Sequence, residues 1–164
     1  GGRRQRLGIS RCLAMEPKFI VCDEPVSALD VSIQAQILNM MRQLQKDLSL
    51  TYIFITHNLS VVNYISDDIA VMYLGRLIEK ASTVDLFDKP LHPYTQALLS
   101  ALPVPRLHNR GQRIIIKGEI TSPIDPKPVC RFAARCDKCT EECLQGEPPL
   151  REVFPGHFIA CFKV

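Results

Sequence analysis

The 164-residue chain has no apolar run approaching the ~20 residues that a membrane-spanning helix needs, and no signal peptide precedes its first motif. It also lacks charge of one sign: a formal net charge of +3 and no long basic face offer little to a nucleic-acid backbone. An initiator methionine is missing, and Gly1-Gly2-Arg3-Arg4-Gln5-Arg6 opens as though cut from something longer. The expectation left by these absences is a soluble, intracellular chain that could still dock on something in a membrane. With 46% of its residues hydrophobic, it has material for one ordinary domain or for a large part plus a small one.

The chemistry-bearing stretch is Phe19-Ile20-Val21-Cys22-Asp23-Glu24-Pro25, followed by Ser27-Ala28-Leu29-Asp30. An apolar run ending in two carboxylates and a proline predicts a strand buried on both faces that delivers an acidic pair to a sheet edge. There an aspartate can hold Mg²⁺ and the adjacent glutamate can take a proton from an attacking water. Taken alone, Asp-Glu-Pro reads better as a solvated acidic turn, and it is the motifs around it that favour the chemical reading. Before it, Leu7, Ile9, Cys12, Leu13 and Met15 have helical spacing up to Pro17, and the glycines at the helix start leave N–H groups where a phosphate could sit. After it, Asp30 is a candidate N-cap for a helix with the stripe Ile33, Ile37, Met40, Met41, Leu44 and Leu48.

Thr51–Thr56 predicts a second buried strand, ending at His57, with a short helix over 59–65. Strand, helix, strand in this order is a parallel crossover unit, so Asp23-Glu24 and His57 should emerge at one sheet edge. Ile69–Leu74 and Arg76–Glu79 predict strands around a tight turn at Gly75. Thr83–Asp88 predicts a short helix, and Leu91–Pro103 a docking helix with Tyr94, Leu98 and Leu102 on one stripe and His92 structural rather than chemical. Residues 103–112 read as a linker and Arg113–Gly118 as a short strand.

Seven cysteines are many for a cytosolic protein. Cys12 and Cys22 sit in apolar surroundings as packing residues. The other five, Cys130, Cys136, Cys139, Cys143 and Cys161, crowd the tail, where a soft metal, an iron–sulfur cluster or free thiols all suit proline-rich chain. Nothing near them resembles a substrate pocket, so a structural or regulatory role is expected.

Gly-Gly-Arg-Arg-Gln-Arg, Phe-Ile-Val-Cys-Asp-Glu-Pro, Ser-Ala-Leu-Asp and Ile-Thr-His-Asn, in this order and at these spacings, resemble the second half of an ABC-transporter ATPase. The segment Leu91-His92-Pro93-Tyr94 resembles that typical of ATPases from oligopeptide and dipeptide importers. The resemblance implies an α/β fold: the C-terminal part of a P-loop ABC ATPase domain, a parallel sheet with flanking helices, over residues 1–82. A docking helix and linker would follow over 83–112, and a small cysteine-rich C-terminal extension over 113–164. It implies that Gly1 and Gly2 contact the γ-phosphate of ATP held by a partner, that Asp23 organises Mg²⁺ and that Glu24 polarises the attacking water. By the same resemblance Asp30 lies at the dimer interface and His57 touches the γ-phosphate. It further implies that Cys130, Cys136, Cys143 and Cys161 hold a 4Fe–4S cluster, with zinc as the alternative, Cys139 being an extra thiol.

The partners implied are a second ABC ATPase subunit, in a heterodimer rather than a homodimer, two transmembrane permease subunits and, indirectly, an extracytoplasmic substrate-binding protein. The place implied is the cytoplasmic face of the cell membrane. One departure from the family pattern stands out: no G-x-x-x-x-G-K-[ST] phosphate loop occurs in these residues, so a C-terminal fragment, inactive alone, is expected. Nickel, glutathione or oligosaccharide cargo, a non-transport ABC ATPase and a plain metal-binding or redox module are the alternatives.

Overall fold

The computed structural model describes residues 2–102, 113–119 and 124–164. Gly1, the expected 103–112 linker and residues 120–123 lie outside the described set. The chain divides into two compact units, Gly1–Ser66 and Asp67–Val164.

The first unit runs α1 (Gly2–Leu13), β1 (Phe19–Asp23), α2 (Val31–Leu48), β2 (Thr51–Ile55) and α3 (Leu59–Ile65). The strands are parallel and in register from Phe19 opposite Thr51 to Asp23 opposite Ile55, as the crossover pattern requires. Apolar residues at helical spacing on α2 put Ile37, Leu38 and Met41 into a core with Val26, Val61 and Ile65. Cys22, Tyr52 and Phe54 pack against that core from one face of the strand pair.

The other face is open. Phe19, Val21, Ile53 and Ile55 are each about half exposed, so the expectation of strands buried on both faces fails among the described residues. Side chains alternate along a strand, and helices cover this two-stranded sheet on one side only. The apolar run therefore leaves one face open among the described residues.

The second unit is built on a four-stranded antiparallel sheet of order β3-β4-β6-β5. Strands β3 (Asp68–Tyr73) and β4 (Arg76–Ser82) form the expected hairpin. Its turn needs two left-handed residues, and Leu74 (φ 44°) and Gly75 (φ 77°) supply them, only the glycine without strain. Helices α4 (Thr83–Asp88) and α5 (Pro93–Ser100) follow, then a single 3₁₀ turn at Ala133–Arg135 and α6 (Glu141–Gln145). The tail closes with β5 (Arg151–Phe154) and β6 (His157–Ile159), and β6 pairs with β4.

One expectation for this unit is corrected: Arg113–Lys117 forms no strand, since Ile114 donates its N–H to the Ser100 Oγ at 3.0 Å and no ladder partner lies beside the segment among the described residues. Helix α5 buries Pro93, Thr95 and Ala97, and Tyr94 and Leu98 of the expected stripe are half-buried. The β3–β4 hairpin shares its sheet with the C-terminal strands.

Candidate functional site

The parallel pair delivers its two ends to one rim. Beyond Asp23, the Glu24 N–H donates to the Ile55 carbonyl at 2.9 Å, extending the ladder by one residue. Glu24 then takes a left-handed backbone (φ 48°), unusual for a side-chain-bearing residue and a feature that clusters at functional sites. Its carbonyl is held by Ser27, whose Oγ donates at 3.0 Å and whose N–H donates at 3.4 Å. The backbone of Glu24 is thus clamped on both sides.

His57 reaches the same rim from β2. Asn58, the N-cap of α3, accepts at its side chain from the Ser60 and Val61 N–H groups, and its own N–H donates to Thr56 Oγ1 at 3.1 Å. This fixes the chain on either side of the imidazole. His57 Nδ1 lies 2.7 Å from Glu24 Oε1. The hydrogen bond from His57, aided by its charge and by Ser27, lowers the Glu24 carboxyl below the ordinary glutamate value, against a smaller desolvation effect. An ionised carboxylate only accepts, so Nδ1 carries the proton and Nε2 is turned to the open side. The His57 side chain is 80% exposed and that of Glu24 38%, yet Glu24 Oε2 is covered and has no hydrogen-bond partner among the described residues. One oxygen is tied to the imidazole and the other is enclosed without a partner among the described residues.

The remaining residues singled out in the sequence are distributed as follows. Asp23 ends β1 on the open face, in line with Phe19 and Val21, and is exposed. Hard carboxylate oxygens beside an unpartnered one suit Mg²⁺ with bound water. Asp30 occupies the N-cap position of α2, and its carbonyl accepts from Gln34 N–H at 2.8 Å, but its side chain makes no cap bond. Gly2 opens α1 so close to α2 that a Cβ there would stand 2.6 Å from Ile33 Cγ2, which is why a glycine is needed. Gly1 lies outside the described residues.

The tail cysteines are neighbours without being a ligand set. Burial raises the Cys130 thiol, offset in part by the Phe132 backbone and reinforced by the Cys143, Cys161 and Cys136 thiols around it. Cys130 N–H donates to the Cys143 carbonyl at 3.1 Å. Among the described residues, however, no group of three or more His, Cys, Asp or Glu is arranged to hold a metal ion. Cys130, Cys136, Cys143 and Cys161 therefore do not form the expected cluster or zinc site here. Burial raises the Cys130 and Cys136 thiols, which favours their neutral form over the ligating thiolate.

Two features of the second unit went unread in the sequence. Glu79 is fully buried on β4 and accepts from the Leu91 N–H at 2.7 Å, the His92 N–H at 3.0 Å and His157 Nε2 at 2.8 Å. The signal was a lone glutamate in an apolar strand, which needs partners. The other is a cavity of about 370 Å³ with Cys130 in its lining, where no pocket was expected near the cysteines.

Comparison with known proteins agrees with these motifs. A family model described as "Oligopeptide/dipeptide transporter, C-terminal region" matches residues 78–143. A Brucella ovis protein named for peptide import and ATP binding is 55% identical over 163 residues, covering 99% of this chain and 51% of the relative. A dipeptide transport ATP-binding protein of Haemophilus influenzae is 52% identical over 164 residues, covering all of this chain and 50% of the relative. A solved structure from Clostridium perfringens, part of an ABC transporter complex, superposes with a TM-score of 0.51 at 33% identity, over 54% of this chain and 35% of that one. The chain spans about half the length of the curated relatives it matches. By fold and by sequence it is similar to the ATP-binding proteins of oligopeptide and dipeptide ABC transporters.

Proposed function

We propose that this chain carries the catalytic rim of an ATP-hydrolysing subunit that powers import of oligopeptides or dipeptides across the cytoplasmic membrane. The observation that carries the reading is the 2.7 Å contact between Glu24 Oε1 and His57 Nδ1 at one end of the parallel strand pair. Phosphoryl transfer to water leaves a protein mainly positioning and charge stabilisation to perform. Asp23 holds Mg²⁺, which when bound offsets phosphate charge. Glu24 would accept the proton of the attacking water, while His57, fixed by its Nδ1–H donating to Oε1, would donate to the γ-phosphate from Nε2 once that nitrogen is protonated as well. Gly2, with the Gly1 that precedes it in sequence, would contact the γ-phosphate of ATP held by a second subunit, and Asp30 would lie at that subunit interface.

The open face of β1 and β2 is covered, in this reading, by the part of the relatives' length that this chain does not span. The phosphate loop belongs to that part, so the 164 residues alone neither hold ATP tightly nor turn it over. The 1–82, 83–112 and 113–164 division then describes function: hydrolytic rim, docking helix with linker, and cysteine-bearing extension. The partners are a second, non-identical ATP-binding subunit and two transmembrane permeases on the cytoplasmic face, fed by an extracytoplasmic binding protein. No helix among the described residues is long and apolar enough to cross a membrane itself.

Affinity capture of the tagged protein from detergent-solubilised membranes of its native host tests this. Permeases and a second ATP-binding subunit should copurify, and recovery with ribosomes instead would overturn the transport reading. A second reading concerns the tail, where Cys143, Cys161 and Cys136 are the sulfur neighbours of Cys130. To hold a 4Fe–4S cluster, or zinc as the alternative, in a structural role, these four thiols would have to draw together and ionise, since they form no such ligand group among the described residues. Iron and zinc analysis of anaerobically purified protein decides it, and metal-free protein would rule out both.

A further inference from the structure

The cavity of the second unit has a lining whose chemistry is specific. Its lining is apolar at Ile78, at Phe132 and at the exposed Leu150, and its polar groups are Arg76, Arg131, His92 and Glu147. The Glu147 carboxylate is already engaged, with Arg76 Nη2 at 2.5 Å and Arg131 Nε at 3.5 Å. Two guanidinium groups against one carboxylate leave a positive charge over. Arg131 donates from Nη1 to the Leu74 carbonyl at 2.7 Å, but its Nε is covered and makes no hydrogen bond, the Glu147 contact being an ion pair only.

His92 adds a donor. Its Nδ1 accepts from the Tyr94 N–H at 3.1 Å, and burial keeps the ring neutral, with a pKa pushed down to about 4. The ring proton therefore sits on Nε2. Guanidinium N–H groups and an imidazole N–H over an apolar floor match a single carboxylate attached to a hydrocarbon. A dianion would meet the Glu147 carboxylate, and a cation would meet the surplus positive charge.

We propose that this cavity, lined by Arg76, His92, Arg131 and Glu147 over Ile78 and Phe132, is a binding site for a small aliphatic monocarboxylate. A volume of about 370 Å³ lies at the small end of ligand sites, which suits a branched short-chain acid or a molecule of similar size. The site is in the second unit and independent of the proposed nucleotide chemistry, so each reading can fail alone.

The test is calorimetric and ligand-observed NMR titration of the 164-residue chain with 4-methylpentanoate and, separately, with its isosteric amide 4-methylpentanamide. The acid should bind with a dissociation constant on the order of 0.1–1 mM and at least about tenfold more tightly than the amide, because only the acid makes charge-assisted hydrogen bonds. Leu150→Trp, which closes the half-exposed mouth, should abolish binding, and Arg131→Met should weaken it about tenfold. Equal binding of acid and amide, no acid binding at about 10 mM, or undiminished binding by Leu150→Trp would overturn the proposal. The acid–amide comparison uses the unaltered chain, so a variant that fails to fold does not remove the test.

Discussion

His92 makes folding of the second unit sensitive to acid in a way that can be isolated. The residue is 2% exposed, its ring centroid lies 5.6 Å from that of Phe132, and Nδ1 caps α5 through the Tyr94 N–H. Burial lowers its pKa from 6.5 to about 4, opposed only in part by Glu79. Below pH 6.5 the unfolded chain takes up a proton that the folded chain refuses, so stability falls as pH drops and levels off below about 4. The loss is at most about 1.4 kcal/mol per pH unit and about 3 kcal/mol across the window. His92→Asn separates this from other acid effects, because asparagine is a strong N-cap without a proton to titrate. Urea unfolding at pH 7 and pH 4 should show the wild type losing about 3 kcal/mol more than the variant, whatever their offset at pH 7. The Tyr94 amide should also lose exchange protection in the wild type alone. Parallel stability curves for the two proteins would refute the reasoning.

Other consequences follow from single contacts in the first unit. His57→Ala removes the main cause of the lowered Glu24 carboxyl, so carbon-detected NMR should find Glu24 titrating higher in the variant; an unmoved midpoint would contradict the pairing. Gly2→Ala places a Cβ 2.6 Å from Ile33 Cγ2 and should destabilise the α1–α2 packing by about 1–3 kcal/mol, with partial recovery in Gly2→Ala/Ile33→Ala. Equal stability of Gly2→Ala and wild type by urea unfolding would show that the close approach is not real.

The arrangement of the candidate rim was legible because its parts are local. Apolar runs that stop at Asp23 and Ile55, joined by a helical stripe, fix a parallel crossover, and a parallel crossover puts both strand ends on one rim. The short helix at 59–65 was read as well, and the structure adds Asn58 as its cap. What escaped depends on neighbours distant in sequence. Runs such as Phe19–Cys22 signal apolar surroundings on two faces, but whether a second layer is present is not written in the strand itself. Glu79 in a strand reads as an edge charge until His157, 78 residues on, is seen to reach it. The β5–β6 hairpin was lost among prolines and cysteines, although Pro155-Gly156, with Gly156 at φ 76°, is a turn signal between Phe154 and His157. The cavity arises only where Arg76, Arg131 and Glu147 converge from separate segments.

The central claim is that Glu24, held by His57, activates water for ATP hydrolysis. Its most direct test compares steady-state ATP turnover of the 164-residue chain, of that chain joined to a phosphate-loop half from one of its relatives, and of the joined protein carrying Glu24→Gln. The account predicts no turnover by the chain alone, turnover by the joined protein, and a loss of about 10²–10⁴-fold in Glu24→Gln with ATP binding retained. Turnover that persists undiminished in Glu24→Gln would contradict it.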